Sequence, residues 1–244
     1  MAQTPIEPGP ITPAQPTPKK PGVVGNLLMN IIIPTVIMTQ LNAENRLGPV
    51  WSMLVALAFP LGYGLHQYWQ TRKANMISIL GLISITLTGG MALLKLPPQY
   101  IAIKEAAIPS ILGLATVISM YTPYPFVRTI LFNDDILQID KINAALKTLG
   151  NEAAFARTLN TSSWLIASSF VLSAILNYVL AKWIVVSQPG TPEFTAELGR
   201  MTLLSYPVIV LPSTVILAGS LFYLISNVEK LTQLKMEDIM IGSN

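Results

Sequence analysis

Few side chains in this sequence are equipped for chemistry. Its 244 residues include one histidine, no cysteine, 12 acidic groups and 15 basic ones. Without cysteine there is no disulfide, thiolate–metal site, iron–sulfur cluster or cysteine nucleophile. A single histidine cannot supply a His-rich metal or haem site. No metal site and no cofactor is therefore expected. What remains is a set of polar residues embedded in apolar sequence, where burial is costly and function is the first suspicion. Lys104 and Glu105 lead that set, with Pro109 one turn further on. A carboxylate in the first turn of a helix complements the helix dipole, and the adjacent lysine neutralises it. Such a pair could be an ion or proton site near the outer face, or a snorkelling pair that sets the depth of its helix. Its place at the edge of an apolar stretch favours the second reading.

Asn30, four residues before Pro34, and Asn177 lie in the middle of apolar stretches. Each can bond across a helix interface, or to carbonyls that a proline has freed, for about 0.6–2 kcal/mol. His66 stands in Gly-Tyr-Gly-Leu-His-Gln-Tyr-Trp, where it could sense pH or serve as an interfacial anchor. Arg46 and Arg200, with Glu44, Lys95, Glu193 and Glu197, either gather round Lys104 and Glu105 as a charged vestibule or scatter over loops. Asn30-Ile-Ile-Ile-Pro34 and Glu105-Ala-Ala-Ile-Pro109 share a spacing that an inverted repeat would produce, but a chain this rich in isoleucine and proline can produce it by chance. No Gly-x-Ser-x-Gly, His-Glu-x-x-His or Gly-x-x-x-x-Gly-Lys is present. The expectation is a protein that is not an enzyme.

The elements that must position these residues are legible in the composition. Apolar residues make up 52% of the chain and charged ones 11%, against about a quarter charged in a soluble domain. Six stretches hold no Asp, Glu, Lys or Arg: 21–43, 47–71, 74–94, 106–127, 158–181 and 201–228. Each reaches the roughly 20 residues needed to cross a bilayer core of about 30 Å. Trp51, Trp69, Trp164 and Trp183 lie near window edges, as do Tyr68, Tyr100, Tyr121 and Tyr124; amphipathic rings favour headgroup depth. The expected fold is all-α and polytopic, with six spans at about 23–41, 48–68, 75–94, 104–123, 162–184 and 202–226.

Basic residues orient the spans. Lys19, Lys20, Arg72, Lys73, Arg128, Lys141, Lys147, Arg157, Lys230 and Lys235 fall on one side; Arg46, Lys95, Lys104, Lys182 and Arg200 fall on the other. The richer side is expected to be cytoplasmic and to hold both termini. The basic residues form no cluster of the kind a phosphate backbone requires, which argues against a nucleic-acid partner. Residues 1–21, with seven prolines, are expected to be a disordered cytoplasmic tail, 22–228 the membrane domain, 124–161 its long cytoplasmic connection and 229–244 a second tail. Within that connection, Ile136, Ile139, Ile142, Leu146 and Leu149 recur at helical spacing before Gly150. They predict an amphipathic helix over about 135–149, packed under the bundle, and a short helical piece over 151–159.

Gly48-Pro49-Val50-Trp51, Ala58-Phe59-Pro60-Leu61-Gly62-Tyr63-Gly64, Leu87-Thr88-Gly89-Gly90, Ala102-Ile103-Lys104-Glu105-Ala106-Ala107-Ile108-Pro109 and Gly113 carry a resemblance. So do Phe132-Asn133, Asn177-Tyr178 and Glu197-Leu198-Gly199-Arg200-Met201-Thr202. Over about residues 25–235 the chain resembles an uncharacterised family of bacterial inner-membrane proteins related to intracellular septation protein A, whose members are often labelled major-facilitator-type transporters. Septation protein A itself is resembled only over spans two to four, and the long cytoplasmic connection departs from it. Gln70-Thr71-Arg72-Lys73 stands where the major-facilitator loop signature would be. The resemblance implies a non-catalytic protein of the bacterial inner membrane. Its expected partners are the lipid bilayer and other membrane proteins, or a second copy; Ser169 and Ser173, four apart, let helices approach closely. The alternative is a small permease for an ion or small solute, its path lined by Asn30, Glu105 and Asn177.

Overall fold

The computed structural model describes residues 25, 27–71, 76–122, 125, 127–128 and 137–240. The expected tail over 1–21 and the capping run Asn133-Asp134-Asp135 lie outside them. Among the described residues the chain is helical, with one isolated antiparallel bridge between Leu137 and Met240 and no strand. In chain order the helices are α1 (Leu28–Gln40), α2 (Gly48–Thr71), α3 (Met76–Leu93), α4 (Gln99–Ser119), α5 (Ile139–Thr148), α6 (Glu152–Ile184), α7 (Pro192–Thr232) and the single turn α8 (Met236–Ile239). Four segments are long and apolar enough to cross a membrane: Gly48–His66 within α2, and α4, α6 and α7. The described part of α1 is shorter, and α3 has 18 residues. These four segments fit a multi-pass membrane protein.

Exposed tryptophans recur at similar separations on two helices. Trp164 and Trp183 sit on one continuous helix, 50% and 79% exposed. They are 19 residues apart, about 28 Å at 1.5 Å per residue. Trp51 and Trp69 on α2, 66% and 68% exposed, are 18 residues or about 27 Å apart. Both separations match a hydrocarbon core of about 30 Å. One end of the bundle, marked by Trp51 and Trp183, carries the connections 41–47, 94–98 and 185–191. The other, marked by Trp69 and Trp164, carries α5 and α8.

Several boundaries differ from those that charge-free windows predict. The helix expected as the fourth span, α4, starts at Gln99, directly after Pro97-Pro98, so Lys104 and Glu105 lie more than a turn inside the helix instead of opening it. A prolyl pair that starts a helix is a stronger boundary signal than the last charge. The fifth span and the expected piece over 151–159 are one helix of 33 residues, Glu152–Ile184. The helix expected as the sixth span, α7, begins at Pro192, where Thr191 Oγ1 accepts the Phe194 N–H at 3.2 Å as an N-cap.

Two prolines mark local widening of the helix. Leu28–Ile32 in α1 and Tyr206–Val210 in α7 form π-turns, followed by Ile33-Pro34 and Leu211-Pro212. A proline has no N–H to donate and its ring crowds the preceding turn; a π-turn makes room for it at small cost. The local likeness is therefore between α1 and α7, not between the Asn30 and Glu105 segments.

Two buried clusters hold the bundle. At the Trp51–Trp183 end, Met38, Met53, Ala56, Ile101, Ala181, Phe194 and Leu198 bring α1, α2, α4, α6 and α7 together. The α1–α7 crossing is close because Gly199 has no side chain: a Cβ there would meet Met38 Cβ at 3.0 Å and the Thr35 carbonyl oxygen at 3.3 Å. At the other end, Ile142, Leu146, Phe155, Leu159, Leu224, Val228 and Ile239 join α5, α6, α7 and α8. The helix predicted over 135–149 is thus found as α5, with Ile142 and Leu146 buried, and it packs under the bundle. The segment expected as a C-terminal tail is folded for most of its length. Gln233 turns the chain with φ of 56°. The Ile239 carbonyl then accepts the Gln138 N–H at 2.8 Å, and Lys141 Nζ donates to the Asp238 carbonyl at 2.6 Å.

Candidate functional site

Among the described residues the buried charged side chain is that of Lys104. Its helix, α4, packs most extensively against α6, where Gly113 lets Phe170 approach: a Cβ on Gly113 would lie 3.2 Å from Phe170 Cβ. The opposite side of α4 meets α3, which presents Ser84 and Thr88 one turn apart. Lys104 is 7% exposed. Its Nζ donates to Ser84 Oγ at 3.2 Å and Thr88 Oγ1 at 2.7 Å, and pairs with Glu105 Oε1 at 2.5 Å. An ammonium has three protons to donate, and these three acceptors account for them. Thr88 is itself fixed, its hydroxyl donating to the Ser84 carbonyl at 2.9 Å. The lysine therefore does not snorkel. It is drawn inward and ties α3 to α4, while Glu105, 22% exposed, faces outward from it.

The remaining candidates lie elsewhere. Asn177 donates to the carbonyl of Ser173 at 2.7 Å and to its hydroxyl at 3.3 Å, both on its own helix. Asn30 is in the π-turn of α1 and half-buried. His66 is exposed on α2, near Trp69. Two of the charges weighed as either a vestibule or scattered loop charges serve the connections: Arg46 donates to the Gln40 carbonyl, and Glu197 accepts the Val186 and Ser187 N–H groups at 3.0 and 2.9 Å and the Ser187 hydroxyl at 2.7 Å. Arg200 is exposed on α7. Among the described residues no group of His, Cys, Asp and Glu could hold a metal ion.

No protein-family model, no curated protein and no solved structure matches this chain.

Ser84 and Thr88 were not foreseeable as partners from Lys104 alone. The signal in the sequence is the i, i+4 spacing of Ser84 and Thr88, two of the four hydroxyl residues of α3, which places their acceptors on one face. A second hydroxyl seam joins α6 to α7. Ser169 Oγ donates to the Ser213 carbonyl at 3.0 Å, and Ser220 Oγ to the Ser162 carbonyl at 3.1 Å. Of the small pair expected to draw helices together, Ser169 lies in this seam. Ser173 is occupied with Asn177.

Proposed function

We propose that the chain is a non-catalytic scaffold of the bacterial inner membrane, working through contacts with other membrane proteins or a second copy. In this reading it has six spans, with α1 and α3 completing the four longer ones, and both termini are cytoplasmic. The observation that carries the reading is the saturation of Lys104: one cation, three acceptors, and burial between two helices. A group used for coupled transport must change partners or protonation as it works. An ammonium whose protons are all committed within the bundle holds helices together instead. The engagement of Asn177 with Ser173 on its own helix, and of Glu197 on α7 with the 186–187 backbone, supports the same conclusion, because both side chains are committed to the fold.

Reconstitution into proteoliposomes tests this reading. Under imposed proton and potassium gradients, wild-type protein and Glu105→Gln are expected to show the same flux as empty vesicles, while the variant melts at a lower temperature. A gradient-driven flux that Glu105→Gln abolishes would replace the scaffold with the permease.

A further inference from the structure

The segment that follows α7 folds against the preference of its own sequence. From Glu229 to Ile241 there is no glycine or proline, and Gln233-Leu234-Lys235-Met236-Glu237 are all good helix formers. Nothing local stops the helix, yet α7 ends at Thr232. Gln233 is in the left-handed conformation, φ 56° and ψ 21°, which is costly for an L-residue and which helix ends usually assign to glycine. In a continuous helix the Lys235 N–H would meet the Leu231 carbonyl. That carbonyl instead accepts from Asn151 Nδ2 at 2.8 Å, while the Lys235 N–H donates to Asp238 Oδ2 at 3.3 Å. The compensation lies further along. Ile239 is fully buried, in a core that includes Ile142 of α5, and Leu234 packs partly against the same core. Gln138 N–H and Lys141 Nζ hold the carbonyls of Ile239 and Asp238.

We infer that residues 233–240 form a two-state strap, either docked on α5 as described above or released as a continuation of α7. Helix propensity and the strained Gln233 favour release. Burial of Ile239 and the two carbonyl contacts favour docking. Opposed local and tertiary preferences of this kind leave two arrangements close in free energy. Release exchanges backbone hydrogen bonds instead of losing them, because the N–H groups of 233–240 find the carbonyls of 229–236. It lengthens α7 by eight residues, about 12 Å. It also strips α5 of Ile239 and of the contacts at Gln138 and Lys141. Helix α5 forms one wall of a cavity of about 430 Å³, lined by Arg128, Lys147, Glu152 and Phe155 among others. The strap therefore sets how firmly α5 closes that end of the bundle. The inference rests on the fold alone and is independent of the scaffold reading.

Spin-label distances in the full chain test it. The sequence has no cysteine, so nitroxides on Val215→Cys/Met240→Cys, both exposed positions, report the reach of α7 by double electron–electron resonance. A continuous helix separates the two backbone positions by about 38 Å. The docked strap, turned back at Gln233 onto α5, holds them closer. The labelled chain is expected to show the shorter distance with a minor component near 38 Å. Ile239→Asp removes the anchor and is expected to make the long component the major one. Gln233→Gly acts in the opposite direction, easing the docked turn and weakening the helix, and should lower the long fraction about fivefold or more. It alters an exposed side chain and decides the matter if Ile239→Asp does not fold. A labelled chain with only the shorter distance overturns the proposal. So does a broad distribution without the long peak in Ile239→Asp, or a long fraction that Gln233→Gly leaves unchanged.

Discussion

The two ends of the bundle use charge in opposite ways. At the Trp51–Trp183 end, charges are spent on the protein itself: Lys104 on two hydroxyls and a carboxylate, Glu197 on the 186–187 backbone, Arg46 on the Gln40 carbonyl. At the Trp69–Trp164 end, Lys141 closes α8 onto α5, but Arg128 and Lys147 line an open cavity. The difference teaches which polar residues of a membrane protein to treat as structural. A cation that is buried and saturated fixes geometry, whereas one on the wall of a cavity is available to a ligand. Position within an apolar stretch does not distinguish the two cases; the acceptors around the charge do.

The largest effect that would sharpen this comparison is at the saturated end. Glu105→Gln leaves a buried ammonium with neutral acceptors and no countercharge, and is expected to destabilise the protein by about 2–4 kcal/mol, since breaking a buried pair costs more than replacing it whole. Lys104→Met/Glu105→Leu should recover to within about 1 kcal/mol of wild type. Equilibrium unfolding in mixed micelles measures both, and a double variant as unstable as the single one would break the contrast. Next in size is the α1–α7 crossing. Gly199→Val must displace Met38, Thr39 or the Thr35 carbonyl, so overpacking of about 1–3 kcal/mol is expected in the same assay. Ser169→Ala, which removes one interhelical hydrogen bond, should cost about 0.6 kcal/mol. Smallest of all, Lys147→Gln at the open end should change stability by less than about 0.5 kcal/mol. A larger loss there would mean that the cavity cations also hold the fold.

How much of this was legible in the sequence varies by element. The helical class, the tryptophan edges and the amphipathic helix containing Ile142 and Leu146 follow from hydropathy and spacing, because each is a repeated pattern over many residues. Boundaries follow less well: Pro97-Pro98 and Thr191-Pro192 start helices upstream of where the charge-free windows open, so counting charges misplaced Lys104 at a helix edge. Its partners Ser84 and Thr88 come from a different helix, and the register of two packed helices is a tertiary fact that one-dimensional spacing does not encode. The cavity was equally hidden. Arg128 and Lys147 are 19 positions apart in the chain, and they share a wall with the start of α6 only after α5 has packed beneath it.

The central claim is that Lys104 is closed off from water and held between helices. The chain is naturally free of cysteine, so a single introduced thiol reports one position. Thr88→Cys places it against the lysine, while Leu94→Cys, 73% exposed at the adjoining turn, serves as the accessible reference. In oriented membrane vesicles treated with a charged thiol reagent from either side, the account predicts rapid labelling of Leu94→Cys and essentially none of Thr88→Cys. Labelling of Thr88→Cys at the rate of the reference would place water beside Lys104 and contradict it.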